Sequence, residues 1–202
     1  MKITARLAAV CGALALALAL SACGSQTAPG AASSTDPAAA APMTSQTAAA
    51  AHNDADVEFA QMMSVHHEGA IAMADLAAKS GNTEGVRTLA ARISAAQGPE
   101  IDKMRAWLKA WGAPNGAATS MEGMDMSGGA QSSAMDELRG LTGADFDRRF
   151  LELMTEHHRS AVTMAETELS AGKDPEALAL AQTIQDTQKA EITEMGQLIH
   201  AL

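Results

Sequence analysis

The chain has 202 residues, room for one domain and extra segments, and 47% of them are apolar. A formal charge of −10 leaves no basic face for phosphate and excludes nucleic acid as a partner. Tyrosine is absent and Phe and Trp are scarce, while there are 13 methionines, so the core must be aliphatic and thioether, with soft sulfur in supply.

Lys2 and Arg6 precede an apolar run from Leu7 to Leu20. Leu20-Ser21-Ala22-Cys23 then resembles the lipobox of bacterial lipoproteins. Residues 1–22 therefore read as a lipoprotein signal peptide, removed on export. The run is shorter than the roughly 20 residues a membrane span needs. Cys23 is the expected lipidation site, which places the protein on the outer face of the bacterial cytoplasmic membrane, or at the periplasm or outer membrane of an envelope that has one. Cys11 leaves with the signal, so no thiol remains, although the compartment permits disulfides. Any soft-metal site must then use methionine and histidine. Residues 23–52, rich in Ala, Ser, Thr and Pro, cannot bury a core and read as a flexible tether.

Residues 53–202 form the domain. A first helix is expected from Asn53 or Asp54 to Gly81, and a second from about Thr83 to Trp111 with a kink at Gly98-Pro99. A connector spans 112–141, rich in Gly, Ser and Met, with a short helix around Ala134 to Arg139. The third helix begins near Thr142, with Asp145 placed for a capping box, and stops at Gly172. Asp174-Pro175 supplies an N-cap and a first-turn proline for the fourth. The two halves, 53–111 and 142–202, keep one register at an offset of 91 residues, from Asp54 and Asp145 through Gln97 and Gln188 to Met104 and Met195. This predicts an all-α four-helix bundle, ferritin-like, built from two duplicated hairpins with a long Met/Gly-rich crossover.

The register repeats a histidine pair, His66-His67 and His157-His158. With about 100° per residue, His66 lies inside the core-facing stripe of the first helix and His67 at its edge. Burying two adjacent histidines in each half costs desolvation, which favours a ligand role. Spacing i, i+4 makes Met63/His67 and Met154/His158 the candidate chelating pairs, with His66 and His157 as inward ligands or supporting groups. Imidazole with thioether suits a soft ion, monovalent copper above all, with silver as a surrogate. Glu100 and Glu191 are placed to accept hydrogen bonds from imidazole and orient it. Met121, Met124 and Met126 in the connector form a second candidate site, since a solvated loop has no core for them to fill. No catalytic centre is visible, and a di-iron site fails because neither histidine pair has a glutamate three residues upstream.

The stretch His66-His67-Glu68-Gly69-Ala70-Ile71-Ala72-Met73-Ala74 resembles the bacterial family catalogued as domain of unknown function 305. So do Gln97-x-x-Glu100-Ile101-x-x-Met104 and Trp107-Leu108-x-x-Trp111-Gly112, and the second copy looks similar. The resemblance implies a ferritin-like bundle, often exported, with some members linked to copper binding and tolerance. It points to His66, His67, Met73, His157, His158 and Met164, with Met63 and Met154 beside them. Arg159-Ser160 departs from Glu68-Gly69, which implies unequal binding by the two halves.

The expected function is sequestration, tolerance or transfer of a soft metal ion by a surface lipoprotein that is not an enzyme. Its candidate partners are the ion, a metal donor or acceptor protein, the membrane through the lipid alone, and a second copy of itself. The competing readings are a structural or interaction lipoprotein with pH-responsive histidines and, more remotely, a metal-dependent redox enzyme.

Overall fold

A computed structural model describes residues 51–115 and 128–202. The expected signal peptide, Cys23, the expected tether up to residue 50 and Met121, Met124 and Met126 lie outside the described residues. Among the described residues no helix is long and apolar enough to cross a membrane.

The described residues form five helices in order: α1 (Asp54–Ser80), α2 (Glu84–Trp111), α3 (Gly128–Arg139), α4 (Gly143–Ala171) and α5 (Pro175–Ala201). Their ends follow local chemistry. Asn53 and Asp56 close a reciprocal capping box on α1, and Asp174 caps α5 ahead of Pro175. Two expectations need correction. Thr142 stands at the N-cap of α4 without a side-chain cap bond, so Asp145 closes no capping box; Gly143 enters the helix at φ 63°, a left-handed geometry reserved for glycine. The connector helix also starts at Gly128 rather than Ala134. Pro99 lies inside α2, which continues as helix on both sides of it.

Two apolar clusters fill the bundle. One joins Ala70, Met73 and Ala77 of α1 to Phe146, Phe150 and Met154 of α4, with Leu89 and Ile93 of α2 and Met195 of α5. The other joins Phe59, Met62 and Met63 to Ala161, Met164 and Ala165, with Met104 and Leu108, and Leu180 and Ile184. The late part of α1 thus meets the early part of α4, and the reverse, so the two helices run antiparallel. The segment of each long helix between the clusters carries the histidines, Gln97, Glu100, Gln188 and Glu191.

The hairpins are clasped reciprocally. Asp147 of α4 accepts hydrogen bonds from the backbone N–H groups of Asn82 and Thr83, at 2.7 and 2.8 Å, in the turn of the first hairpin. Its repeat partner Asp56 of α1 accepts from Lys173 and Asp174, both at 2.9 Å, in the turn of the second. Each carboxylate is fully buried and sits at the N-terminus of a helix in the other hairpin, where the dipole favours negative charge. Hydrogen bonds to ionised groups contribute about 1.5–3 kcal/mol each, so this pair of clasps fixes how the halves dock.

Helix α3 breaks the two-fold resemblance. Its Leu138 is buried in the first cluster, and Glu137 pairs with Arg149 of α4 at 2.7 and 2.9 Å. Gln131 packs so closely on Gly69 that a Cβ there would lie 2.7 Å from its side chain. A side chain at position 69 would have to displace the flexible end of Gln131. In the second half Arg159-Ser160 stands at the repeat positions of Glu68-Gly69, and Glu68 pairs with Arg105 at the surface.

Glu168, 1% exposed, lies near the end of α4 beside Asp56. Burial, then the hydrogen bond with Asp56 and the charges of Asp56 and Asp174, push its carboxyl up to about 8. Burial also works to raise Asp56, but N–H bonds from Asn53, Asp174 and Lys173, together with the Glu168 proton, hold it below its ordinary value. A raised acid stabilises the fold below its unfolded-state value and loses that contribution as pH rises through the folded value. Between about pH 4.5 and 8 the metal-free protein should lose stability in urea denaturation, and Glu168→Gln should flatten that slope.

Candidate metal centre

Between the two apolar clusters, α1 and α4 bring His66 and His157 face to face, with ring centroids 3.6 Å apart and planes tilted by 43°. Antiparallel packing about the repeat explains the encounter, since each ring occupies the same position in its own hairpin. Their neighbours turn the other way. His67 Nε2 hydrogen-bonds Glu100 Oε2 of α2 at 2.7 Å, and His158 Nε2 bonds Glu191 Oε2 of α5 at 2.9 Å. Arg92 Nε stands 3.9 Å from the other Glu191 oxygen. With the Nε2 proton directed to the carboxylate, Nδ1 presents its lone pair inward, an arrangement that fixes tautomer and ring orientation.

Those lone pairs have nothing to accept. Among the described residues eight buried side-chain polar atoms lack a hydrogen-bond partner, and six belong to this layer: Nδ1 of His66, His67, His157 and His158, and Oε1 of Gln97 and Gln188. Each such group costs about 1–3 kcal/mol. Against a net stability of 5–15 kcal/mol that is a heavy concentration in one layer. A ligand that accepts lone pairs would remove it. Gln97 and Gln188 received no role from sequence; their signal was polarity on an apolar face at repeat positions.

Electrostatics keeps the facing pair neutral. Burial, followed by the charges of His157, His67 and His158, holds His66 well below its usual value. Burial, followed by His158 and His67, brings His157 down to about 3. Both offer free lone pairs without competition from protons across the physiological range.

The candidate thioethers are buried around this layer. Met63 and Met154 are wholly inaccessible and Met73 and Met164 nearly so. Met63 and Met164 sit in one apolar cluster, Met73 and Met154 in the other. They flank the histidines on both sides, packed as core. No group of three or more His, Cys, Asp or Glu gathers as a metal cage among the described residues, so the layer is unlike the closed tetrahedral sites of zinc.

The domain of unknown function DUF305 matches residues 56–199. The chain belongs to the DUF305 family. A DUF305 protein of Streptomyces coelicolor described as secreted is 34% identical, with a TM-score of 0.67 over 73% of this chain and 91% of that one. A DUF305 fragment from Deinococcus radiodurans is 33% identical, with a TM-score of 0.67 over 74% and 98%. CopM in its copper(I)-bound form is 33% identical, with a TM-score of 0.61 over 72% and 96%. CopM is also solved with copper(II) and with silver bound. No curated protein sequence matches the chain.

If the lone pairs serve a ligand, they burden the metal-free fold. Replacing the facing rings by Leu (His66→Leu/His157→Leu) should stabilise the metal-free protein by about 1–3 kcal/mol in thermal denaturation. A loss of stability would make the rings structural.

Proposed function

We propose that this DUF305 protein is an exported, lipid-anchored carrier of a soft metal ion, with monovalent copper as cargo and silver as its surrogate, held for sequestration or transfer to a partner protein. The observation that carries the reading is the layer of four imidazoles whose buried Nδ1 atoms have no hydrogen-bond partner, two of the rings facing each other with centroids 3.6 Å apart. Neutral imidazole with thioether suits copper(I) or silver and does not suit oxygen-loving cations. A shortage of third and fourth ligands is no obstacle for a monovalent ion that accepts few donors.

In this reading His66 and His157 hold the ion between the hairpins, and His67 and His158, aimed by Glu100 and Glu191, complete the layer. Met63 and Met154 lie one turn from His67 and His158 and offer sulfur for capture or release. CopM, about a third identical, is solved with copper(I) and silver bound, which supports the same class of cargo here. The lipobox ending at Cys23 and the secreted Streptomyces relative support export.

A pH-responsive role for the facing pair fits less well. Both rings are held neutral far below physiological pH, so no charge change occurs there near neutrality.

Copper(I) affinity of the mature domain, measured by competition with a chromophoric chelator, tests the proposal. His66→Leu/His157→Leu should weaken binding more than about 100-fold, and Glu100→Gln/Glu191→Gln by about 10–100-fold. Wild-type affinity in both variants would contradict it.

A further inference from the structure

The duplication leaves two equivalent grooves between α1 and α4, one at each end of the histidine layer, and they have been filled differently. At one end Phe146, Arg149 and Leu153 of α4 oppose Met73, Leu76 and Ala77 of α1. Leu138 of α3 is buried in that cluster and Glu137 pairs with Arg149. At the other end, 91 positions away in each case, Glu58 takes the place of Arg149, Met62 of Leu153, Thr167 of Leu76 and Glu168 of Ala77. No described helix covers this end. Instead there is a recess lined by Glu58, Phe59, Met62, Met164, Thr167 and Glu168.

Three of these four positions change to thioether or carboxylate, Glu58 for Arg149, Met62 for Leu153 and Glu168 for Ala77, while Thr167 puts a hydroxyl in place of Leu76. Met62 and Met164 are 2% and 5% exposed, and Glu168 is 1% exposed with no donor reaching either of its oxygens. The group beside Glu168 is another acid, Asp56. A buried carboxyl next to a buried carboxylate, facing a recess walled by two sulfurs, lacks positive charge. The free interior of the recess is about 20 Å³, enough for one water-sized occupant and too small for an organic ligand.

We propose that this recess is a second soft-cation site, separate from the histidine layer, in which Met62, Met164 and Glu168 bind one monovalent metal ion of the copper(I) or silver class. Two thioethers select a soft ion over calcium or magnesium, and the carboxylate supplies the opposite charge. Met62 stands four residues before His66, one turn along the same helix, so an ion held here lies beside the deeper layer. The site does not require the histidine layer to bind metal.

The test uses silver as the probe and the His66→Leu/His157→Leu protein as background, so that the two sites are read apart. Native mass spectrometry and calorimetric titration should show that this background still takes up silver, and that adding Met62→Leu/Met164→Leu removes one ion from the count. Glu168→Gln in the same background should weaken that ion about tenfold or more. Leucine nearly conserves methionine volume, and circular dichroism with the urea midpoint verifies folding. An unchanged silver count and affinity after Met62→Leu/Met164→Leu would overturn the proposal, whatever the histidine substitutions do.

Discussion

The constraint behind this structure is a polar layer buried across the middle of an apolar bundle. Four imidazoles and two amides lie between two clusters of Phe, Leu, Ile and Met, with their acceptor atoms unpaired. A fold selected for stability alone would close that gap with leucine, because an unpaired buried acceptor is among the costlier features a small domain can carry. The layer persists next to carboxylates that aim two of its rings. Its orientation is set by hydrogen bonds, and its lone pairs are left for something else.

The rest of the bundle serves to hold that layer in place. Asp56 and Asp147 bind each other's hairpin turns, so neither half can rotate without breaking charge-assisted bonds at both ends. Because the clasps obey the same repeat as the histidines, they bring His66 and His157 together at the centre. Symmetry then gives way where function or packing requires it. Helix α3 covers one groove, where Gln131 packs on Gly69, and the opposite groove carries sulfur and carboxyl groups instead.

Much of this was legible in the chain itself. The 91-residue offset, the Asn53, Gly81, Gly172 and Asp174-Pro175 signals and the aliphatic periodicity define two hairpins with correct ends, because helix termini are decided by local chemistry. The features that escaped are those created by docking. Asp56 and Asp147 look like ordinary first-turn acids until the partner hairpin arrives. Asp145 looks like a capping residue, but the left-handed entry at Gly143 starts α4 by another route. The facing of His66 and His157 depends on antiparallel packing of two helices almost a hundred residues apart. Glu168 appears as one more surface acid in an acidic protein, and only coordinates show it buried against another carboxylate.

Anomalous diffraction from crystals of the mature domain loaded with silver locates each ion directly. The account predicts a peak in the polar layer between α1 and α4, within bonding distance of His66 and His157. Silver found only elsewhere, with both rings free of metal at saturating concentration, would contradict it.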